Sequence, residues 1–343
     1  MDAALFGAAL ALAPGVGRVR YRELLDRHLR HEAAFAEAVA EWERGLLLDA
    51  ARALLDSARA VGASAVAYGS PDYPSRLREL SDPPPLLFVR GAREWMETGP
   101  AVAIVGTRAA TGYGERVTRE IAGQLARAGA LVISGLARGI DAAAHRGALE
   151  SGGRTAAVLG TGIDIAYPAA HRSLHAEIGA RGLLLTEQPP GEKASGGSFP
   201  ERNRIIAALA DLVIVVEAPV KSGALITASR ALELGRMVAA VPGPIDSPQS
   251  AGSNELLRDG AQCIASAADA LALVGLTAPP RAPSREVDGP DRVVWDALGR
   301  GALDLDTLAS TTALPAREVL AAVTRLELSG AVECALTGEI RRR

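Results

Sequence analysis

Apolar and polar positions alternate in three different rhythms along this 343-residue chain. In residues 1–60 the apolar positions recur at helical spacing, as in the stretches 22–29 and 35–48, which predicts a small helical domain. Pro14-Gly15-Val16-Gly17 interrupts two of these helical runs. Such a turn resembles a helix-hairpin-helix, where backbone N–H groups and the next helix start can meet a phosphate; a plain turn between packed helices fits the same residues.

From residue 61 to 276 the rhythm changes. The runs 101–105, 130–133, 155–159, 212–216 and 237–241 are short and apolar throughout, and amphipathic stretches such as 114–128 and 223–234 separate them. Continuous apolar strands joined by helical crossovers predict an α/β, doubly wound, mostly parallel sheet covered on both faces. Residues 277–285 are Pro-rich without apolar periodicity and read as a linker. Residues 286–343 give three helical blocks (291–298, 304–311, 315–328) and two short strand-like pieces around Thr337-Gly338, the pattern of a winged helix. This last segment holds more acids than arginines, so a protein partner suits it at least as well as duplex DNA.

Composition narrows the class. Hydrophobic residues make up 48%, enough for a folded core, and 37 basic against 40 acidic residues give a net charge of -3, which excludes a polycation. Aromatics at 3% argue against a broad base-stacking platform. Cys263 and Cys334 are far apart and without a partner motif, so neither a disulfide framework nor a zinc site is expected, and a reducing cytosol suits them. Asp2 stands where a signal peptide would carry a base, and every long apolar run is broken by Gly or charge. The expectation is a soluble, cytoplasmic protein that does not enter membranes.

In a doubly wound sheet the ligand lies beyond the carboxyl ends of the strands. Three expected strand ends run into glycine: Gly106-Thr107-Arg108, then Ser134-Gly135-Leu136-Ala137-Arg138-Gly139-Ile140-Asp141, then Gly160-Thr161-Gly162. Glycine lets backbone N–H groups come close to an anion, and Arg108 and Arg138 supply forks suited to phosphate. Ser198–Ile206 reads as a helix start carrying Arg202, Asn203 and Arg204, with salt bridges to Glu201 or Asp211 as the plainer use of the arginines. Phe199 could stack on a base or staple the helix to the core. Lys221-Ser222-Gly223 forms another loop-into-helix anion site, with Ser222 as the cap. Residues 99–280 hold 16 basic and 16 acidic residues, so the local field at the rim matters more than the sum.

Several chemistries are missing. The spacing Gly106, Gly112, Gly114 is not a dinucleotide fingerprint, and Lys193 and Lys221, the only lysines, do not sit in a Walker motif. No metal motif or catalytic pairing involves the five histidines. Asp141 and His145 fall on one helix face, which suggests a local hydrogen bond, and Asp164 and Glu217 read as partners for Arg108 or Arg138. No cofactor and no catalytic residue is expected.

Taken in order, Gly106-Thr-Arg108, Ser134–Asp141, Leu159–Asp164 with Tyr167-Pro168, Phe199-Pro-x-Arg-Asn-Arg204, Lys221-Ser-Gly-x-Leu-Ile-Thr227 and Val241-Pro-Gly243 resemble the DprA (Smf) family of DNA-processing proteins of bacterial natural transformation. The resemblance is strong over about residues 65–275. It implies an extended Rossmann domain that binds single-stranded DNA, forms a homodimer and loads RecA recombinase, with a sterile-alpha-motif-like N-terminal domain and a C-terminal winged helix. It makes Arg108 a DNA contact and places Arg138, Arg202, Arg204 and Lys221 in the other motifs. Relatives often carry a DNA-contacting Lys after Tyr-Pro; Ala169 and Ala170 stand here, with Arg172 as the candidate substitute. The alternative is a nucleotide-binding phosphoribohydrolase-like enzyme on the same sheet type, although its Pro-Gly-Gly-x-Gly-Thr-x-x-Glu signature is absent.

Overall fold

Helical periodicity near the N-terminus produces four helices: α1 (Ala3–Leu12), α2 (Arg18–His28), α3 (His31–Ala38) and α4 (Glu41–Ala60). The structure, a computed structural model, describes residues 3–277, 289–328, 331–335 and 338–342. The four helices share one compact unit, Met1–Pro279, with the sheet that follows; Pro280–Arg343 is a second unit. Gly7 lets α1 lie on strand β1 (Ser64–Ala67), since a Cβ there would stand 2.6 Å from the Ala67 Cβ. Tyr21, Tyr68 and Tyr73 continue this contact edge to face, with ring centroids 6.5 and 5.3 Å apart.

The remaining strands are β2 (Leu86–Gly91), β3 (Ala101–Val105), β4 (Leu131–Ser134), β5 (Arg154–Val158), β6 (Leu183–Thr186), β7 (Leu212–Val215), β8 (Met237–Ala240) and β9 (Gln262–Cys263). Among the described residues they form one nine-stranded sheet in the order β1-β2-β6-β5-β4-β3-β7-β8-β9. β1 with β2 and β2 with β6 pair antiparallel, and every pair from β6 to β9 is parallel. The crossover helices are α5 (Gly112–Arg127), α6 (Ile140–Glu150), α7 (Arg172–Arg181), α8 (Ser198–Leu209), α9 (Gly223–Glu233) and α10 (Ala251–Arg258), with α11 (Ala267–Leu273) after β9.

Side chains on the central strand alternate between two cores. Val102 and Ile104 pack with Ile121 and Leu125 of α5 on one face. Ala103 and Val105 join Ile205 and Leu209 of α8 on the other. The chain winds outward from β3 through β4, β5 and β6, then returns by α8 to the opposite side of β3 and winds on through β7 and β8. That reversal places the topological switch point between β3 and β7. The expected doubly wound, mostly parallel sheet is therefore present, with an antiparallel edge at β1 and β2.

In the second unit, α12 (Pro290–Ala297), α13 (Leu305–Thr312) and α14 (Ala316–Leu328) enclose a core of Val294, Leu308, Val319, Val323 and Leu326 with Val332 and Ile340. β10 (Val332–Cys334) pairs antiparallel with β11 (Ile340–Arg342), with Glu333 opposite Arg341. Asp304 caps α13 by accepting the Thr307 N–H at 2.7 Å. Three helices and a hairpin make the expected winged helix. Residues 278–285 of the expected linker, and Leu336 and Thr337 of the expected turn, lie outside the described residues.

Candidate functional site

Past the end of β3 the chain turns through Gly106-Thr107-Arg108 towards α5, and a buried carboxylate fixes that turn. The Thr107 N–H donates to the Glu217 carbonyl at 2.7 Å. Thr111, which caps α5, donates its N–H to Glu217 Oε2 at 2.9 Å and its hydroxyl to Oε1 at 2.5 Å. Glu217 is 2% exposed. The expected pairing of Glu217 and Asp164 with Arg108 or Arg138 is therefore corrected: Glu217 staples the β3 loop to β7, and Asp164 Oδ1 accepts the Gly191 N–H at 2.9 Å. Arg108 is left exposed at the rim.

The β4 loop is held from beneath. Arg202, expected at the surface, is buried and donates to the carbonyls of Gly135, at 2.8 Å, and Val158. A Cβ on Gly135 would stand 2.4 Å from this guanidinium, so the glycine makes room for an internal strut. Burial pulls the Arg202 pKa down to about 10 and pushes the Asp141 carboxyl up. The Gly135 N–H donates to Asp141 Oδ2 at 3.1 Å, and the Gly162 N–H donates to the Glu192 carbonyl at 2.8 Å. Neither N–H is free to meet an anion, contrary to expectation. Gly139 has φ +73°, and a Cβ there would meet the Thr107 carbonyl at 2.4 Å, so the β4 and β3 loops interlock. Gly160 lies under the Phe199 ring, 2.9 Å from where its Cβ would be.

Arg204 also departs from the phosphate role. It donates to Glu187 Oε2 at 2.6 Å and reaches Asp82 at 3.2 Å, at a separate cleft lined by Glu79, Leu80 and Arg230. His145 bonds Thr155 Oγ1 at 2.7 Å rather than Asp141, and burial lowers its pKa to about 3.

What remains at the switch point is a crevice of about 510 Å³. Gly106, Thr107 and Arg108 line it from the β3 side, Ala137 and Asp141 from the β4 side, Phe199, Pro200, Asn203 and the buried Arg202 from α8, and Ser222, Gly223, Ala224, Ile226 and Thr227 from the β7 side. Ser222 caps α9, and Asn203 Nδ2 donates to the Gly223 carbonyl at 3.2 Å, which ties α8 to α9 across the mouth. A smaller cavity of about 40 Å³ adjoins it, lined by Arg108, Arg138, Tyr167 and Phe199 among others. The Arg108 guanidinium lies 5.2 Å from the Phe199 ring centroid, and the Tyr167 ring is 5.1 Å from Phe199 on its own account. Phe199 thus faces the site instead of stapling the core.

The side chains of Arg108, Arg138 and Lys221 are exposed and make no ion pair among the described residues. Arg172 is exposed at the start of α7; neither it nor Lys221 lines either cavity, although Lys221 directly precedes Ser222, which does. Tyr167, 45% exposed, and Thr227 complete the site without having been singled out as contacts. Both stand inside ordered motifs, Tyr-Pro and the Lys-Ser-Gly stretch, and that position is the signal that could have found them.

Open arginines, capped helix starts and two aromatic rings thus stand together at the strand ends of a doubly wound α/β sheet, beside its topological switch point. The family model for DNA recombination-mediator protein A matches residues 64–275, and that for the DprA winged helix domain matches residues 278–335. The chain belongs to the DprA/Smf family of DNA processing proteins. It is 45% identical over 204 residues to the DNA processing protein DprA of Streptococcus pneumoniae, covering 58% of this chain and 70% of that protein. The X-ray structure of DprA from Streptococcus pneumoniae superposes with a TM-score of 0.68 at 34% identity, over 79% of this chain and 98% of the other. DNA processing protein A from Helicobacter pylori, described for its single-stranded DNA binding mode, superposes with a TM-score of 0.55 at 34% identity, over 60% and 92%. No helix among the described residues is long and apolar enough to cross a membrane.

Proposed function

We propose that this protein binds single-stranded DNA, without cleaving it, along the crevice between β3 and β7. The observation that carries this reading is the group of open cations around that crevice. Arg108 and Arg138 share the smaller cavity with Tyr167 and Phe199, and Lys221 precedes the capped start of α9. An arginine over an aromatic ring, with a second ring beside it, suits a strand whose phosphates are gripped while one or two bases rest on flat surfaces. Contacts to phosphate carry no sequence information, so binding is sequence-tolerant and weakens with salt. The phosphoribohydrolase alternative needs a free carboxylate in the crevice. Glu217 is committed to Thr111, and Asp141 is buried against the Gly135 N–H.

The strand so held would be protected and passed to RecA recombinase in the cytoplasm, by a homodimer joined through the sheet domain; the family relationship supports this part. Gel shifts with an oligo-dT strand test the binding. Arg108→Ala is expected to weaken it at least tenfold, and unchanged affinity would remove Arg108 from the site. Pull-down of RecA by the full chain, with and without DNA, tests the delivery step.

A further inference from the structure

α8 is held from outside the crevice by α2. Arg18, in the first turn of α2, donates to Glu201 Oε2 at 2.8 Å and stands 3.2 Å from Glu187 and 3.8 Å from Asp82. Arg204 approaches the same two acids from α8. Two arginines thus meet three carboxylates, and the Glu187 and Arg204 side chains are only 7% and 8% exposed. Glu201 and Arg204 belong to the first two turns of α8, whose start carries Phe199 and Asn203 to the crevice. The Pro14–Gly17 turn ends at the N-cap of α2, directly before Arg18.

We infer that Arg18 is a positioning residue for strand binding: it anchors the start of α8 and so sets where Phe199 stands, without touching DNA. This rests on the reading of the crevice given above. Without Arg18, three carboxylates face one arginine, and Glu187 and Asp82 repel Glu201 and the helix start it belongs to. A ring displaced at the rim then meets Arg108 and the bound base less well.

The test uses the full chain and an oligo-dT probe across a salt series, at a temperature where melting curves show every variant folded. Arg18→Ala is expected to weaken binding about fivefold with the salt slope unchanged. Glu201→Gln, at a more exposed position, is expected to give a smaller loss in the same direction. Phe199→Ala combined with Arg18→Ala is expected to lose little more than Phe199→Ala alone, because both act through one ring. Additive losses would overturn the inference, since a purely structural role predicts them. A slope reduced by about 0.7 would also overturn it, by making Arg18 a phosphate contact. A chain that binds the probe while Arg18→Ala and Glu201→Gln keep full affinity loses this inference alone. A chain that binds no single strand loses the reading of the crevice, and the inference with it.

Discussion

The guanidinium of Arg108 lies over the ring of Phe199, 5.2 Å from its centroid. One residue comes from the β3 loop and the other from the start of α8, so the contact joins the two sides of the switch point. A cation over an exposed aromatic ring is worth about 0.5–1 kcal/mol. The two residues should be separable by salt. Arg108→Ala is expected to lower the slope of log affinity against log salt by about 0.7, whereas Phe199→Leu weakens binding at constant slope. Equal slopes for both variants would assign the phosphate contact elsewhere.

Arg202 is expected to matter for stability. Removing its guanidinium leaves the Gly135 and Val158 carbonyls unpaired beside buried Asp141. Arg202→Ala is expected to cost about 3 kcal/mol, read as a lower denaturant midpoint. Wild-type stability with lost DNA affinity would return Arg202 to the phosphate-binding set.

Glu217→Ala tests the staple under the β3 loop. It strips the Thr111 N–H and hydroxyl of their acceptor, a change worth about 1–3 kcal/mol, and frees the loop that carries Arg108. Both thermal stability and strand affinity are expected to fall although a negative charge has been removed. A rise in affinity would mean that Glu217 acts on DNA through its charge.

Acid should destabilise the fold through its buried histidines. Burial first, then Arg202 and His171, hold His145 at about 3, below the unfolded value of about 6.5. The folded state therefore binds fewer protons. The contribution is present above pH ~6.5 and is lost as the pH falls toward the folded value. His31 and His175 are lowered in the same direction, again chiefly by burial. Denaturant melts of His145→Gln are expected to show a pH slope shallower by about 1.4 kcal/mol per pH unit between pH 6 and 4. An unchanged slope would mean that His145 is protonated in the fold.

The sheet was legible at its five central parallel strands, β3, β4, β5, β7 and β8, but not at β2 and β6, where residues 86–89 and 183–186 are just as buried but short leucine-rich stretches are not separable from helix. The runs at 101–105 and 212–216 mark β3 and β7 to within a residue, because burial on both faces leaves no polar alternation. β1 and β9 were not, since Ser64–Ala67 is short and alanine-rich and Gln262–Cys263 is two exposed residues. The site was legible as a set of loops but not as a set of contacts. Arg202 and Arg204 stand two residues apart in one motif with Arg108-like chemistry, and only packing shows that one supports the β4 loop and the other meets Glu187. The glycines misled in the same way. At Gly135 and Gly160 the missing side chain admits Arg202 and Phe199, neighbours that are remote in sequence.

Open cations beside the β3–β7 crevice are proposed to grip the phosphates of a single strand. Titrating the full chain with an oligo-dT strand and with a duplex of equal length, from low to high salt, tests this most directly. Tighter binding of the single strand is expected, with a salt slope of about −2 from roughly three phosphates held by Arg108, Arg138 and Lys221 at about 0.7 each. Salt-independent binding, or no preference for the single strand, would contradict it.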